Sequence, residues 1–397
     1  MKPLAKRISV MSGEGALSVF QRARELERQG RDIIHLELGE PDFHPAENVI
    51  AEAERAIRAG QDRYCAPPGL PELQQEIAAY LAHTRSVTCR PGQVVVAPGC
   101  KLILSLAMTA LIESGDEVLY PDPSFPIYPS MIRALGGGAV AYGLREKDRF
   151  QPDPDEIRRS VTARTKVLIL NSPNNPTGTV YSPEVLRAIA EIAVEHDLWV
   201  IADEIYARIV FSGPYRSIAT LPGMAERTVI IDGFSKTFAM TGWRLGYAVA
   251  PDEVIPALHM LVVNTYTCAS EFIQRAAIEA LRDPLNAADK MVAEFARRRE
   301  FFPSALAQIP GFRCLPPDGA FYAWVSIAGT GMTAPAVATL LLEEAGVAGI
   351  PGAAFGRLGE PFLRFSFASS TAQLERAVER IAAIAPRWAS AAATSRA

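Results

Sequence analysis

Short apolar runs alternate with longer helical stretches through the middle of the chain. The runs are VVVA (94–97), EVLY (117–120), KVLIL (166–170), WVIAD (199–203), TVIID (228–232) and GYAVA (246–250). Each is almost continuously apolar, which is typical of strands that are buried on both faces. The alternation predicts an α/β fold in which a mostly parallel central sheet carries helices on both faces.

Helices are predicted between and around these strands from apolar spacing and capping residues. In the segment 182–196, Ser182 and Pro183 suit a cap and first turn, and Val185 and Ile189 then share one helical face. Further helices are predicted over 16–30, 46–59, 71–82, 291–309, 334–345 and 371–385. The tail, 389–397, is expected to fray.

Two later apolar runs, 321–326 and 362–367, predict strands of a smaller α+β unit near the end of the chain. The first forty-odd residues are too short to fold alone, so we expect them to join that unit. The prediction is therefore a large domain over 48–288 and a small domain built from 1–47 and 289–397.

Ligands of such sheets bind outside the carboxyl ends of the strands, so the residues that follow each strand matter most. Pro98 and Gly99 end the first strand just before a helix, and this turn is either a phosphate site or an ordinary tight turn. NSPNNPTG (171–178) is either a rigid turn that presents amide side chains or simply a stiff loop.

Charged residues lie at the end of the next strand, 199–203, and in the loop that follows 228–232. Asp203 is a carboxylate at a buried strand end, which requires a cation or hydrogen-bond donors unless it caps a helix. Lys236 is flanked by Phe234 and Phe238, and such desolvation lowers the pKa of an amine and makes it a better nucleophile. Arg244 could meet a phosphate, although an isolated Lys–Arg pair is more often solvated.

Together these four loops offer what a pyridine aldehyde phosphate requires. A lysine forms a Schiff base, an aspartate keeps the ring nitrogen protonated, and the cradle and arginine hold the phosphate. No GxGxxG, Walker A, HExxH or GxSxG motif competes with this interpretation, and the scattered histidines predict no metal site.

Composition narrows the class of protein. The 397 residues carry a formal net charge of −4, so a nucleic-acid-binding surface is not expected. No apolar run reaches the roughly 18 residues of a membrane span, and the first residues lack an apolar signal core. Five widely spaced cysteines without a CxxC favour a reducing compartment, and we expect a cytoplasmic protein.

The chain resembles the class I pyridoxal-phosphate-dependent aminotransferases, of the aspartate aminotransferase superfamily with fold type I, from about 33 to about 384. The resemblance lies in GFSKTFAMTGWRLG, NNPTG, the Asp203-x-x-Tyr206 spacing, LGEPDF and FLRFSF. It implies pyridoxal 5′-phosphate as cofactor and transfer of an amino group between an amino acid and a 2-oxo acid.

The resemblance also assigns residues. Lys236 would be the Schiff-base lysine and proton shuttle, Asp203 would pair with the pyridine nitrogen, and Tyr206 with Asn175 would contact the phenolic oxygen. The phosphate site would comprise Gly99, Cys100, Ser235 and Arg244, with Lys101 beside the cofactor and Phe125 stacked on its ring. Gly39, Asn175 and Arg364 would hold the substrate carboxylate, and Tyr64 would reach the phosphate of a second subunit in a homodimer.

Three departures from the family pattern concern cofactor contacts and specificity. Phe125 replaces a Trp or Tyr, Gly233 replaces a Ser that touches the phosphate, and Gly15 with Ala16 replaces hydroxyl residues of dicarboxylate-specific relatives. Lys101 could nevertheless meet a distal substrate carboxylate, unless it points to solvent or Glu14 neutralises it. Elimination, replacement or ring closure on the same cofactor remains an alternative, and a non-enzymatic regulator is a third.

Overall fold

The computed structural model describes residues 4–13, 15–283 and 286–388. Glu14 and the tail 389–397 therefore lie outside the described residues. The strands are Ile34–His35 (β1), Val94–Ala97 (β2), Glu117–Asp122 (β3), Gly138–Gly143 (β4), Thr165–Asn171 (β5), Trp199–Asp203 (β6), Thr228–Gly233 (β7), Gly246–Val249 (β8), Arg313–Cys314 (β9), Tyr322–Ser326 (β10), Val347–Ala348 (β11), Ile350–Pro351 (β12) and Phe362–Ser366 (β13).

The helices cover most of the sequence between these strands. They are Lys6–Ser9 (α1), Gly15–Arg28 (α2), Glu47–Arg58 (α3), Pro71–Arg85 (α4), Cys100–Leu111 (α5), Ile127–Ala134 (α6), Pro154–Ser160 (α7), Pro183–Glu195 (α8), Phe234–Thr237 (α9), Ile255–Thr265 (α10), Glu271–Arg282 (α11), Ala287–Ala307 (α12), Ala334–Leu340 (α13) and Thr371–Ile384 (α14). The predicted start of α8 is confirmed, because the Ser182 hydroxyl accepts a hydrogen bond from the Val185 amide.

The central sheet has seven strands in the order β2-β8-β7-β6-β5-β3-β4. All neighbours are parallel except β8, which runs antiparallel to both β2 and β7. The mostly parallel sheet is therefore confirmed, and GYAVA is its antiparallel exception. The sequence prediction missed β4, which lies at the edge and is half exposed rather than continuously buried.

Helices cover both faces of this sheet. On β5, Val167 and Ile169 pack toward one apolar cluster that includes Leu104 of α5. The alternate residue Leu168 packs toward a second cluster that includes Ile189 of α8. This alternation explains why the central strands are apolar at nearly every position.

A second sheet forms near the end of the chain in the order β12-β13-β10-β9. The N-terminal segment joins this region through β1, which pairs in parallel with β11. One predicted helix differs from expectation: over 334–345, the α-helix α13 ends at Leu340 and a π-helical turn continues to Ala345. Within the described ranges, no helix is long and apolar enough to cross a membrane.

Candidate active site

A cavity of about 470 Å³ opens at the carboxyl ends of the central strands. Of the residues that the sequence singled out, its walls contain Gly39, Cys100, Lys101, Phe125, Asn175, Asp203, Tyr206, Ser235, Lys236, Arg244 and Arg364. Gly99 lies directly behind Arg244. Tyr64 is not among the residues that line this cavity, and it is 85% exposed.

Lys236 lies on α9, immediately after β7, and donates a hydrogen bond from Nζ to the carbonyl oxygen of Gly39. Burial lowers the pKa of its ammonium to about 8. A measurable fraction of the side chain is therefore a neutral amine near neutral pH, which is the form that attacks an aldehyde or accepts a proton.

Asp203 is the last residue of β6 and is buried. Its Oδ2 accepts a hydrogen bond from the Tyr128 hydroxyl at 2.6 Å, and its Oδ1 accepts one from the Ile205 amide at 3.3 Å. Burial raises the pKa of this carboxyl to about 6 despite both donors. A cation brought against Asp203 would favour its ionised form, so the site suits a protonated ring nitrogen.

Arg364 lies in the middle of β13 and is buried. Its Nη1 donates to Oδ1 of Asn175 at 3.0 Å, and its Nη2 donates to the carbonyl oxygen of Glu37 at 2.6 Å. Its guanidinium carbon also lies 4.3 Å from the ring centroid of Tyr322 and 4.8 Å from that of Phe355. These contacts fix a planar cation in the cavity wall, where it can hold a carboxylate through two hydrogen bonds.

An anion site forms where α5 begins. Gly99 precedes the helix with φ +94°, and a Cβ at this position would lie 2.4 Å from Nη2 of Arg244. Arg244 is held by a hydrogen bond of 2.9 Å from Nη1 to the carbonyl oxygen of Thr241. Because residue 99 is a glycine, the Arg244 guanidinium can approach the N-terminus of α5 closely. Together the guanidinium and the helix N-terminus form a site that fits a phosphate.

The structure explains the unusual glycine before the lysine. A Cβ at Gly233 would lie 2.6 Å from the sulfur of Cys100. The Cys100 thiol occupies that space and donates to the carbonyl oxygen of Asp232 at 3.1 Å. Burial raises the pKa of this thiol well above its ordinary value, so Cys100 packs there as a neutral group. A hydroxyl can therefore come from Ser235, which lines the cavity, but not from position 233.

Two tyrosines were missed by the sequence analysis. Tyr128 contacts Asp203, and Tyr322 places its hydroxyl 2.7 Å from that of Tyr206. Tyr128 lies three residues after Phe125 in PSFPIY, and the turn between them leads into α6, so the spacing of these two aromatics was an available signal. No local pattern marks Tyr322, because its partner Tyr206 is 116 residues away in sequence.

Buried ion pairs hold the elements that carry these residues. Arg85 donates to Glu204 at 2.9 Å and to Asp232 at 2.7 Å, which joins the residue after Asp203 to the strand before Lys236. Arg298 of α12 is also buried, and its guanidinium donates to both carboxylate oxygens of Asp42. Among the described residues, no group of three or more His, Cys, Asp or Glu side chains is arranged to hold a metal ion.

A buried amine, a buried carboxylate, an anion cradle and a fixed guanidinium at the carboxyl edge of an α/β sheet define an enzyme that uses pyridoxal 5′-phosphate. The comparisons with known proteins identify the family. The family model "Aminotransferase class I and II" matches residues 31–381. The chain therefore belongs to the class I and II aminotransferases and is a pyridoxal-phosphate-dependent aminotransferase.

Individual relatives agree with this assignment. The chain is 37% identical to an aspartate aminotransferase of Geobacillus stearothermophilus, over 95% of this chain and 98% of the relative. It is 38% identical to an aspartate/prephenate aminotransferase of Thermus thermophilus, over 98% and 100%. The solved structure of aspartate aminotransferase from Thermus thermophilus with maleate has a TM-score of 0.92 at 37% identity, covering 97% of this chain and 100% of that one.

These relatives are all aminotransferases, so the comparisons favour amino-group transfer over the elimination, replacement and ring-closing reactions that the sequence left open. The fold class and the cofactor predicted from the sequence are confirmed.

Proposed function

We propose that the cavity residues act as the resemblance assigns them. Lys236 carries the cofactor and moves the proton, Asp203 pairs with the ring nitrogen, and Tyr206 with Asn175 contacts the phenolic oxygen. Gly99, Cys100, Ser235 and Arg244 hold the phosphate, Phe125 covers the ring, and Gly39, Asn175 and Arg364 bind the substrate carboxylate. When bound, pyridoxal phosphate supplies an aldehyde that condenses with amines and a ring that accepts electrons from the substrate carbon.

The proton chemistry rests on the environment of Lys236. Its Nζ donates to the Gly39 carbonyl oxygen, so the amine is held at the cavity wall beside a proposed contact of the substrate carboxylate. Because burial lowers the pKa of Lys236 to about 8, the amine can accept a proton at one step and return it at the next near neutral pH. Arg364 holds the substrate by its carboxylate, and this orientation would bring the proton on the substrate's α-carbon within reach of the Lys236 amine.

The preferred substrates in this proposal are dicarboxylic amino and oxo acids, such as aspartate, glutamate and their 2-oxo counterparts. The observation that carries this proposal is the presence of two further cations in the cavity wall besides Lys236 and Arg244. They are Arg364 in its buried part and Lys101 at the start of α5. Nζ of Lys101 lies 5.6 Å from the ring centroid of Phe125, which also lines the cavity. The names of the relatives, and the maleate in one solved structure, support the same class.

The test compares kcat/KM for aspartate and glutamate with kcat/KM for alanine, leucine and phenylalanine. Lys101→Ser should reduce the preference for acidic substrates about ten- to a hundredfold, because one charge-assisted hydrogen bond is lost. Lys147→Ser is the matched control, since Lys147 is exposed in a short helical turn away from the cavity. A wild-type preference for neutral substrates, or an unchanged ratio in Lys101→Ser, would refute the dicarboxylate assignment.

The proposal includes a homodimer in which Tyr64 reaches the phosphate of the second subunit. An aromatic side chain that is 85% exposed supports such a contact. Mixing inactive Lys236→Ala with Tyr64→Ala subunits tests it, because each mixed dimer then regains one site with both residues intact. The regained sites should bind the cofactor with wild-type affinity and restore activity. If subunit exchange restored neither, a site shared between subunits would be contradicted.

The domain division proposed for the chain is 48–288 against 1–47 with 289–397. It is supported by the pairing of β1 with β11 and by the separate four-stranded sheet. Limited proteolysis should cut first near 44–46, just before α3 begins at Glu47, where the chain would pass between the two domains. Early cleavage inside the seven-stranded sheet would contradict this division.

A further inference from the structure

Tyr322 links three parts of the active site, although it belongs to none of the motifs found in the sequence. It lies on β10 and is 1% exposed. Its hydroxyl oxygen lies 2.7 Å from that of Tyr206, and its ring lies 4.3 Å from the guanidinium carbon of Arg364. A Cβ at Gly39 would come within 2.2 Å of the same hydroxyl, so only glycine fits at that turn.

The short contact between the two hydroxyls raises the question of which one donates. Two hydroxyls at 2.7 Å share one hydrogen atom, and the other hydrogen must point elsewhere. A guanidinium over a phenol ring stabilises negative charge on the phenol oxygen, so Arg364 makes the Tyr322 hydroxyl the more acidic one. The pKa directions agree: Arg364 is the main group that opposes the rise burial causes in the pKa of Tyr322. For Tyr206, burial and Tyr322 outweigh the opposing effect of Arg364 and raise the pKa well above its usual range.

The more acidic hydroxyl is the better donor. Tyr322 therefore donates to Tyr206, and the hydrogen of Tyr206 is left for an acceptor in the cavity that both residues line. A hydroxyl that accepts a hydrogen bond is also polarised into a stronger donor, so the contact with Tyr322 strengthens what Tyr206 can donate.

We propose that Tyr322 is a positioning residue that directs the hydroxyl hydrogen of Tyr206 into the cavity, under the influence of the Arg364 charge. This inference rests on the roles proposed above for Tyr206 and Arg364. The acceptor of the Tyr206 hydrogen is the phenolic oxygen of the cofactor, and a stronger hydrogen bond to that oxygen favours its ionised form. Loss of the Tyr322 hydroxyl therefore makes the bound cofactor less acidic.

The experiment is a pH titration of the visible absorbance of the holoenzyme, with a double-mutant cycle on the two tyrosines. Tyr322→Phe keeps the ring under Arg364 and removes only the hydroxyl. This variant should lower the acid dissociation constant of the bound cofactor, read from the absorbance titration, roughly three- to tenfold, as expected for one weakened hydrogen bond. Tyr206→Phe should lower it at least as much, and the double variant should match Tyr206→Phe alone.

The controls separate positioning from folding. Tyr142→Phe removes another buried hydroxyl, one that donates to the Ile169 carbonyl oxygen at 2.8 Å, and should leave the titration unchanged. Tyr322→Phe should also bind maleate, a non-reacting dicarboxylate, with the wild-type dissociation constant, whereas Tyr322→Leu should weaken that binding because Arg364 loses its ring contact.

The outcomes distinguish this inference from the proposed function. If Tyr206→Phe shifts the titration and Tyr322→Phe does not, the inference about Tyr322 is wrong and the role of Tyr206 stands. If Tyr206→Phe shifts nothing, the proposed role of Tyr206 fails and the inference fails with it. If the shifts of the two single variants add fully in the double variant, the tyrosines act independently and the inference is overturned.

Discussion

Tyr128 donates a hydrogen bond of 2.6 Å to Oδ2 of Asp203, and this contact ties the proposed partner of the ring nitrogen to α6. Phe125 lies in the turn just before α6, and its ring meets that of Tyr128 edge to face with centroids 5.9 Å apart. One short segment therefore sets the position of two proposed cofactor contacts. Because Tyr128 donates to one carboxylate oxygen only, Asp203 keeps acceptor capacity for a cation in the cavity.

Asp203→Ala should lower kcat by more than about a hundredfold, on the order of 3 kcal/mol, because the ring nitrogen would lose its anionic partner. Asp203→Glu should be milder, since the negative charge remains. Steady-state kinetics with the substrates of the proposal measure both. A decrease of less than about tenfold in Asp203→Ala would mean that the carboxylate does not serve the ring nitrogen.

The same carboxylate should destabilise the cofactor-free protein at neutral pH. Burial raises the pKa of Asp203 from 3.8 to about 6, so the folded state binds more protons than the unfolded state between those pH values. The free energy of unfolding therefore falls as pH rises through that window and stays lower above it. Asp203→Asn should be more stable than wild type by up to about 3 kcal/mol at pH 7, although less active.

Urea unfolding of the cofactor-free proteins at several pH values measures this difference. The gain of Asp203→Asn should shrink as pH falls below about 6 and be lost at about pH 3, below the unfolded value of 3.8, where the wild-type carboxyl is protonated in both states. A gain that is independent of pH would point to better packing rather than to removal of a buried charge.

The sequence predicted the strands of the central sheet because they are buried on both faces, and it predicted the site because four strand-end loops carry matching chemistry. It missed β4, an edge strand that starts at Gly138 and is half exposed, since burial on one side leaves a weak apolar signal. It missed the contact of Tyr128 with Asp203 and that of Tyr322 with Tyr206. These partners are 75 and 116 residues apart, and only the fold brings them together.

Lys236→Ala should abolish turnover while the fold is retained, because the variant loses both the amine that carries the cofactor and the proton shuttle. Cofactor should still bind through the cradle at Gly99 and Arg244, without the absorbance of the lysine-linked form. Absorbance spectra and steady-state rates measure the two effects, and Lys147→Ala serves as a surface control. Substantial multiple-turnover activity in Lys236→Ala would show that another group does this work.

Arg364→Lys should raise KM for every amino and oxo acid tested. An ammonium cannot offer the two parallel hydrogen bonds of a guanidinium, nor the flat face that lies over Tyr322 and Phe355. The expected loss is about 1.5–3 kcal/mol in kcat/KM, or roughly ten- to a hundredfold. Equal KM values for wild type and Arg364→Lys across acidic and neutral substrates would remove Arg364 from the carboxylate site.

The buried ion pairs behind the site should contribute strongly to the stability of the fold. Arg85, Glu204 and Asp232 are all buried, and the Tyr247 hydroxyl donates to the same Asp232 oxygen at 2.9 Å. Arg85→Met would leave two carboxylates without their cation in the interior. The expected cost is about 3–5 kcal/mol of unfolding free energy, because an uncompensated buried charge is far more costly than a lost surface pair.

Arg90→Met is the matched control, since Arg90 pairs with Asp252 where both side chains are well exposed, and it should cost less than about 1 kcal/mol. Adding Glu204→Gln and Asp232→Asn to Arg85→Met should recover part of the loss, because the carboxylate charges that lack a partner are then gone. Denaturant unfolding of the four proteins measures these differences. If Arg85→Met cost no more than Arg90→Met, or if the two neutralising substitutions added further loss, the buried charges would not be what joins β6 to β7 behind Asp203 and Lys236.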